Sequence, residues 1–486
     1  MPVQNRIVKV QKRNRALVRF DQSLIQRAIQ RAADSIGGFQ QDLLPDINGR
    51  LFDAWPQPTD LAGFLSDAVV VCLNSNPQHF IANFPPTIER IQDAVLHVLR
   101  SHGFQNTADA YECYRWSRHW LREGAVPAGA FAGNGRPPAA WLQQELDRNR
   151  RRGCHTAAAL GDLVRSGKLR PVIEESIANY EASLDDAARG ILERHRGGGL
   201  RMIWICGPSS SGKTTTTVKI TRRLERDGLR FLMLNLDDYF WPLVEHPTDW
   251  INDRNYETPE ALDIQLLNRH LRELLEGRPV EAPVYNFIEG RRTGSRSVRL
   301  DQGQILLLDC LHGLYPPMTE GIPSDAQFRL VVDARPALLE GDGATGRPVQ
   351  SSDIRLLRRM LRDSRHRNHS PLRTLLHWHY VRTGELFSIL PLSGLADHVI
   401  NGAFPFDLPA LHPFLAGPGN LLPPLSALDN YPGFLDARIR LERVRSLLGG
   451  LGGLTIEQLT AHDLIPGDAL VREFIGHSTL SIPHNH

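Results

Sequence analysis

Apolar residues recur along the chain in two patterns, short continuous runs typical of buried strands and a helical spacing typical of amphipathic helices. Beyond residue 200, short apolar runs alternate with amphipathic stretches, a pattern that predicts buried strands joined by helical crossovers. Strands and helices that alternate in this way build a parallel sheet covered by helices. The predicted strands are 202–206, 231–236, 305–308 and 328–332. We therefore expect an α/β core in this part of the chain.

The N-terminal region, residues 1–122, carries a different pattern, which predicts a small α+β unit. Apolar runs around a polar turn predict two short strands, and a helical period follows them. Thr87 and Thr107 each precede a further apolar stripe, so both are predicted helix N-caps. The predicted strands are 7–10 and 16–20, and the predicted helices are 23–33, 88–100 and 108–121.

An Ala-, Gly- and Pro-rich stretch at 125–140 interrupts these periods and predicts a linker. The charged helical pattern that follows it ends at the three glycines 197–199. On this basis the chain divides into five predicted segments. They are an N-terminal unit at 1–122, a linker at 123–140, a helical lead-in at 141–199, the α/β core at 200–415 and a C-terminal helical extension at 416–486.

Composition argues against several classes of function. Lys and Arg number 56 against 54 Asp and Glu, and a net charge of +2 provides no field to hold a nucleic-acid backbone. The polar N-terminus lacks the apolar run of a signal peptide, and no run of about 18 apolar residues predicts a membrane span. Five dispersed cysteines without a CxxC pair favour a reducing cytoplasm. His377 and His379 have no carboxylate or cysteine at metal spacing, so no zinc site is predicted.

The sequence GPSSSGKT at 207–214 carries the strongest chemical signal, because it fits the Walker A pattern between a predicted strand and a predicted helix. Its glycines allow backbone N–H groups to surround phosphate oxygens at the positive end of the helix. Lys213 is expected to reach the β- and γ-phosphates, and the Thr214 hydroxyl is expected to bind Mg²⁺. The predicted ATP-binding residues are Gly207, Pro208, Ser209, Ser210, Ser211, Gly212, Lys213, Thr214 and Thr215.

Carboxylates follow two of the predicted strands. Asp237 and Asp238 stand at the carboxyl end of the second strand, where open α/β sheets bind their ligands. Transfer to an alcohol requires a carboxylate that accepts the hydroxyl proton, so either residue is a candidate general base. Asp309 ends the third strand as a Walker B acid does and is a candidate ligand for Mg²⁺.

Six arginines crowd one predicted helix and its exit. Guanidinium groups suit the negative charge that builds on a transferring phosphoryl group, so in a chain with a Walker A loop the cluster predicts a lid rather than a solvated basic face. The six are Arg355, Arg358, Arg359, Arg362, Arg365 and Arg367.

The series of motifs resembles the uridine kinase and phosphoribulokinase family, and within it the multidomain bacterial uridine kinase-like proteins that usually carry a TGS domain. The likeness covers roughly residues 163–480. It rests on GPSSSGKTT at 207–215, LDDYF at 236–240, NYETPEALD at 255–263, NFIEGRR at 286–292, RLLRRMLRD at 355–363 and VREFIG at 471–476. The resemblance implies a P-loop NTPase parallel-sheet kinase core, ATP and Mg²⁺ as cofactors, and a small-molecule hydroxyl acceptor, first of all a nucleoside such as uridine.

The same resemblance implies roles for residues by their position. Asp237 looks like the general base, and Lys213 and Arg362 look like further catalytic residues. Lid residues are implied at Arg359, Arg362 and Arg367, substrate contacts at Asp238, Glu257, Tyr285 and Arg292, and metal contacts at Thr214 and Asp309. Gly290 stands where authentic uridine kinases place a base-contacting His.

The N-terminal quarter resembles an ATP-cone, a nucleotide-sensing module best known from ribonucleotide reductases. The likeness rests on VQKRNR at 10–15, IQDAV at 91–95 and AYECYRWSR at 110–118. It implies that Lys12 and Arg13 bind nucleotide phosphates, that ATP or dATP regulates the chain, and that a homo-oligomer can form through this unit. A unit that serves only for dimerisation or packing is the alternative.

Two other functions stay open at this stage. The same fold serves several acceptors, so a kinase for a sugar phosphate or another small alcohol competes with the nucleoside kinase. A non-catalytic sensor that binds ATP without transferring phosphate is the second competitor.

Overall fold

A computed structural model describes residues 6–42, 44–45, 51–52, 60–75, 84–124, 139–246, 248–249, 252–344, 346–417, 419–431 and 433–481. The chain forms two compact units, Met1–Arg136 and Pro137–His486. The predicted linker falls mostly at 125–138, which lies outside the described residues. The finer boundaries at 199 and 415 stay predictions. No helix in the described ranges is long and apolar enough to cross a membrane.

The N-terminal unit combines short antiparallel strand pairs with helices, in keeping with the predicted α+β pattern. Its core includes Ile29, Leu65, Val69, Val95 and Leu99, all with no exposed surface. The described elements are β1 (Lys9–Gln11), β2 (Leu17–Arg19), α1 (Gln22–Asp34), β3 (Leu44–Pro45), β4 (Leu51–Phe52), α2 (Leu61–Asn74), α3 (Ile88–Ser101) and α4 (Gln105–Arg122). Strand β1 pairs with β2, and β3 pairs with β4.

Of the two predicted N-caps in this unit, one is confirmed and one is wrong. The Thr87 side chain accepts a hydrogen bond from the Arg90 N–H at the start of α3. Helix α4, however, begins at Gln105, and Thr107 is buried inside it. The cause is Phe104, which is buried in the core and whose carbonyl accepts the first helical hydrogen bond from the Ala108 N–H.

The C-terminal unit is a parallel sheet with helices around it. Its first half contains α5 (Ala139–Arg151), α6 (Ala157–Arg165), α7 (Arg170–Arg196), β5 (Met202–Cys206), α8 (Lys213–Arg226), β6 (Arg230–Asn235), α9 (Ile264–Leu275), β7 (Val280–Asn286) and β8 (Arg291–Val298). Its second half contains β9 (Gln304–Asp309), β10 (Gln327–Asp333), α10 (Ser351–His366), α11 (Pro371–Ser388), β11 (His398–Asn401), α12 (Asp407–Leu415), α13 (Leu435–Gly449), α14 (Ile456–Thr460) and α15 (Arg472–Ile475).

The five-stranded sheet has the order β11-β10-β5-β9-β6, and all its strands are parallel. The four predicted strands are confirmed to within one residue at each end. The expectation of full burial is wrong for β6, because this strand lies at the edge of the sheet and leaves Met233 55% exposed. Since all the strands run the same way, the residues after β5, β6 and β9 meet at one edge of the sheet.

One hydrophobic core joins the sheet to α7, α8 and α10–α13, and the C-terminal helices belong to it. Leu441, Val444 and Phe474 have no exposed surface. Strands β7 and β8 form a separate antiparallel hairpin, which the apolar pattern did not predict. This hairpin contacts the short 3₁₀ turn Leu236–Tyr239 that follows β6.

Candidate active site

The loop after β5 has the geometry of a phosphate-binding turn. Gly207 adopts φ +139°, and a Cβ there would lie 2.1 Å from the Val332 carbonyl oxygen, so no other residue fits. Helix α8 begins directly afterwards at Lys213, and its N-cap Gly212 has no side chain to satisfy the first helical N–H groups. Such a helix start presents backbone donors and a positive dipole to an anion.

A cavity of about 920 Å³ opens in front of this loop and extends to the β7–β8 hairpin. The site residues expected from the sequence that line it are Ser209, Ser210, Gly212, Lys213, Thr214, Asp237, Glu257, Tyr285, Asp309, Arg359, Arg362 and Arg367. The expected residues that are not among its lining are Gly207, Pro208, Ser211, Thr215, Asp238 and Arg292. The structure therefore brings most of the predicted site together around one space.

Lys213 lies deep in this cavity, and its Nζ donates a hydrogen bond to the Pro208 carbonyl at 3.1 Å. Burial lowers the pKa of Lys213, while the nearby carboxylates of Asp309 and Glu473 act against that shift. An ammonium group held this way has lost water but is surrounded by oxygen acceptors, which favours exchange of the carbonyl for a phosphate oxygen.

The two adjacent acids after β6 point to different surroundings. Asp238 Oδ1 accepts a hydrogen bond from the Tyr285 N–H at 3.0 Å, and Arg296 Nη2 lies 3.8 Å from its other oxygen. Asp238 therefore ties the 3₁₀ turn to the hairpin. Asp237 lines the cavity, and its own N–H donates to Asn235 Oδ1 at 3.2 Å. Of the two candidates for general base, only Asp237 faces the cavity in this structure.

Asp309 and Thr214 are suited to hold Mg²⁺ together with phosphate oxygens. Asp309 Oδ2 accepts a hydrogen bond from Thr217 Oγ1 at 3.1 Å, and burial raises the pKa of Asp309 to about 6 although Lys213 acts to lower it. Within the described ranges, no group of three or more His, Cys, Asp or Glu side chains could enclose a metal. Mg²⁺ commonly binds through one or two carboxylates plus phosphates and water, so one carboxylate and one hydroxyl fit it.

The arginines of the predicted lid divide into two groups. Arg359, Arg362 and Arg367 line the cavity, and Arg362 is the main cause that lowers the pKa of Arg367 to about 10. Arg355 and Arg358 have no exposed surface, and Arg365 donates to the Phe474 carbonyl. The lid prediction is therefore wrong for these last three arginines, because Glu385 and Asp407 bind Arg355 and Arg358 inside the core, and the Phe474 carbonyl binds Arg365.

The two fully buried arginines support the loop from behind. Arg355 donates to the Ser209 carbonyl at 3.2 Å and pairs with Glu385 at 2.5 Å. Arg358 pairs with Asp407 at 2.8 Å and donates to the Gly402 carbonyl at 2.7 Å. Helix α10 thus holds the phosphate-binding loop by its backbone.

Arg292 is also placed differently from the expectation. Its guanidinium donates to the Tyr239 carbonyl at 2.8 Å and to Asp263 Oδ2 at 3.2 Å, and lies 5.4 Å from the Trp241 ring centre. These contacts fix the hairpin to the turn after β6 and keep Arg292 out of the cavity lining. Arg296, on the same strand, lines the cavity instead.

A chain of buried polar groups links the loop before α9 to the phosphate-binding loop. His377 Nδ1 lies 2.6 Å from Asp253 Oδ2, and its Nε2 lies 3.6 Å from Glu257 Oε1. The same oxygen of Glu257 accepts from Arg359 Nη1 at 2.6 Å, and Arg359 also donates to Ser209 Oγ at 3.0 Å. Sequence reasoning considered His377 only as a zinc ligand or a structural residue and did not predict these partners, because they lie more than a hundred residues away.

Neighbouring charges explain the pKa shifts of Glu257 and His377. Burial acts to raise the pKa of Glu257, but Arg359 and His377 outweigh it and hold that pKa well below its usual value. Burial acts to lower the pKa of His377, but the nearby carboxylates of Asp253 and Glu257 outweigh it, and Arg359 opposes them only in part, so the pKa of His377 is raised. The folded protein therefore favours a protonated His377 between two carboxylates.

We expect His377→Gln to lower the free energy of unfolding by about 1.5–3 kcal/mol at pH 6, since the charged hydrogen bond to Asp253 is lost. The raised pKa of His377 means that this contribution is complete below the unfolded value near 6.5. It is lost as the pH rises through the higher folded value. Urea unfolding at pH 6 and pH 9 should show a smaller difference between the two proteins at pH 9.

His379→Gln is the matched control, because His379 Nδ1 contacts the Leu376 carbonyl rather than a carboxylate. A gap between wild type and His377→Gln that is equal at both pH values would contradict a protonated His377.

Comparison with known proteins gives a consistent set of relatives. A model of the phosphoribulokinase / uridine kinase family matches residues 202–338. A uridine kinase of Deinococcus deserti is 30% identical over 200 residues, which span 41% of this chain and 86% of that protein. Uridine-cytidine kinase B of Dictyostelium discoideum is 28% identical over 200 residues, 41% of this chain and 73% of its own length. The solved structure of a possible uridine kinase from Bacillus stearothermophilus covers 31% of this chain and 79% of its own, with 18% identity and a TM-score of 0.25.

Proposed function

Because the chain belongs to the phosphoribulokinase and uridine kinase family and is therefore a phosphotransferase that acts on a hydroxyl group, we propose that it moves the γ-phosphate of ATP to a nucleoside. The single observation that carries this proposal is the continuity of the cavity. One space reaches from Lys213, past Asp237, to the aromatic side chains near the hairpin. Donor, base and acceptor surface thus share one enclosure, as phosphoryl transfer in line requires.

The aromatic end of the cavity supports a nucleoside as acceptor. The rings of Phe240 and Tyr285 lie 5.9 Å apart, and those of Tyr285 and Phe287 lie 5.1 Å apart. All three residues line the cavity. Flat apolar surfaces of this kind suit a nucleobase, because every nucleobase has a π-face that can stack on an aromatic ring.

In the proposed reaction Asp237 accepts the proton of the acceptor hydroxyl as the phosphoryl group moves. Lys213 and the cavity arginines Arg359, Arg362 and Arg367 stabilise the charge on the transferring group. Thr214 and Asp309 would hold Mg²⁺, which neutralises phosphate charge when it is bound. Closure of arginines around the phosphates would also exclude water and so favour transfer over hydrolysis.

Gly290 limits what the acceptor site can recognise. It has φ +64°, and a Cβ at this position would lie 2.8 Å from Leu243 Cβ. A His there, as in authentic uridine kinases, would therefore be strained and would collide with Leu243. The proposal is a nucleoside kinase whose base recognition differs from that of uridine kinases.

A sugar-phosphate kinase is the second candidate, and Arg296 is the observation that favours it. This residue lines the cavity near the hairpin, its side chain is 51% exposed, and the Asp238 carboxylate is 3.8 Å away. A guanidinium with a loose partner can bind a phosphate group that the acceptor already carries.

The acceptor is identified by incubating the protein with Mg-ATP and a panel of nucleosides, sugar phosphates and small alcohols. ADP release and the mass of the phosphorylated product are followed together. We expect a nucleoside monophosphate. A product from a sugar phosphate or another alcohol would show that the acceptor is not a nucleoside. Tight ATP binding with no product from any acceptor would favour a non-catalytic ATP sensor.

We propose that the N-terminal unit is an ATP-cone-like regulatory unit in which Lys12 and Arg13 bind nucleotide phosphates. Both residues lie at the exposed turn between β1 and β2, which supports the proposal. Arg13 pairs with Glu89 at 2.6 Å and donates to Gln92, so a nucleotide would have to compete for it. A homo-oligomer formed through this unit and a cytoplasmic location stay predictions.

A further inference from the structure

The C-terminal segment, residues 465–475, contacts the helix that follows the phosphate-binding loop through two acids. Glu473 Oε2 accepts hydrogen bonds from the Thr215 N–H at 3.1 Å and from Thr215 Oγ1 at 2.8 Å. Asp468 Oδ2 accepts from Lys219 Nζ at 2.8 Å. Thr215 and Lys219 are four residues apart on α8 and therefore lie on one face of it. The segment begins far outside the region that matches the family model.

Packing fixes the backbone that carries Glu473. Phe474 is fully buried, its carbonyl accepts from Arg365 at 3.1 Å, and its ring centre lies 4.8 Å from the Arg358 guanidinium carbon. Leu470 packs so closely against the loop that a Cβ on Gly212 would lie 2.5 Å from its Cδ1. Glu473 itself is only 5% exposed but also lines the cavity.

The Thr215 N–H belongs to the group of donors that bind phosphate in a Walker loop. The first N–H groups of α8 have no partner within the helix, and those of the loop and helix start cradle the phosphates of a nucleotide. At Thr215 a carboxylate oxygen already accepts from both the N–H and the hydroxyl. A phosphate oxygen on the same donors would need the same position.

We propose that Glu473 sets the nucleotide affinity of this site, because its carboxylate holds the position of a phosphate oxygen at Thr215 and a nucleotide must turn it away to bind. The inference rests on the proposed function, in which the loop binds ATP. Without nucleotide, Glu473 satisfies the helix start and balances Lys213. With nucleotide, its negative charge remains close to the phosphates and weakens their binding.

The test is Glu473→Gln in the full-length chain, with Mg-ADP binding measured by isothermal titration calorimetry. We expect the dissociation constant to fall about tenfold, since the amide keeps a similar size but carries no charge to oppose the phosphates. The gain should shrink as salt is raised, because salt screens the lost repulsion. Glu473→Ala should also tighten binding. Lys213→Ala identifies which binding step belongs to this loop.

Asp468→Asn is the matched control, because it removes the same charge from the same segment at a carboxylate that is 53% exposed, and its partner Lys219 keeps a second carboxylate in Glu181. We expect its dissociation constant to stay within about twofold of wild type. Unchanged or weaker binding in both folded Glu473 variants would overturn the inference and leave the proposed function intact. Equal tightening in Asp468→Asn would also overturn it, since loosening of the segment would then be the cause. Binding that Lys213→Ala does not alter in any variant would contradict the proposed function itself.

Discussion

Asp237→Asn is expected to lower kcat by about 10²–10⁴-fold, the usual contribution of a general base. The amide has nearly the same shape as the carboxylate but cannot accept the acceptor's proton. The hydrogen bond from the residue's own N–H to Asn235 Oδ1 is retained, so the 3₁₀ turn keeps its geometry. The measurement is phosphorylated product per unit time at saturating ATP, with the acceptor concentration varied so that kcat and KM are obtained separately.

Asp238→Asn is the matched control, which tests whether the loss of kcat is specific to Asp237. Asp238 accepts the Tyr285 N–H, and the Asn side chain retains an oxygen that can do so. We expect kcat to remain within about tenfold of wild type. Equal losses in the two variants would show that the pair acts as a structural unit, and a larger loss in Asp238→Asn would exchange the two roles.

Asp407→Ala is expected to lower the free energy of unfolding by about 3–5 kcal/mol, because it leaves the Arg358 charge buried without its partner. Both side chains of this ion pair have no exposed surface, and Asp407 also accepts the Phe404 N–H at 2.8 Å. Urea unfolding of the two proteins measures the loss. Nucleotide affinity should fall with stability, since Arg358 lies 3.4 Å from the Ser210 carbonyl of the phosphate-binding loop.

Asp429→Ala provides the contrasting case on the surface of the same unit. Asp429 pairs with Arg438 at 2.6 Å, but its side chain is 65% exposed. Exposed pairs contribute about 0–1 kcal/mol, so a small change is expected. The double variant Arg358→Met with Asp407→Leu should regain much of the stability lost in Asp407→Ala, because an apolar pair carries no unpaired charge. If Asp407→Ala proves as mild as Asp429→Ala, the buried pair does not secure the loop.

Elements that are determined by residues close together in the sequence could be predicted from it. The strand before Gly207, the helix after it and the acids after β6 and β9 follow from local patterns of apolar residues and turns. The parallel sheet then brings these ends together, because its strands share one direction. The gathering of Lys213, Asp237 and Asp309 around one cavity therefore follows from local signals and one rule of topology.

What sequence reasoning missed depends on partners distant in the chain. Strand β8, with the sequence RRTGSRSV, is mostly polar and exposed, so no apolar period indicates it. Arg355 and Arg358 resemble any basic helix face until Glu385 and Asp407 are seen beside them in the core. Glu473 lies 258 positions from Thr215, and no spacing rule connects two residues that far apart. Burial of charge is decided by such pairings, which a linear pattern does not contain.

The contact between Glu473 and Thr215 also has a consequence for the order of events during synthesis. The ribosome completes β5 and α8 long before residues 465–475 leave it, so the nascent kinase unit has neither the Asp468–Lys219 pair nor a carboxylate at Thr215. Until then, the start of α8 and the apolar surfaces that Phe474 later covers are exposed to water or to a chaperone. Final assembly of the donor site must therefore wait until residues 465–475 have been made and have left the ribosome.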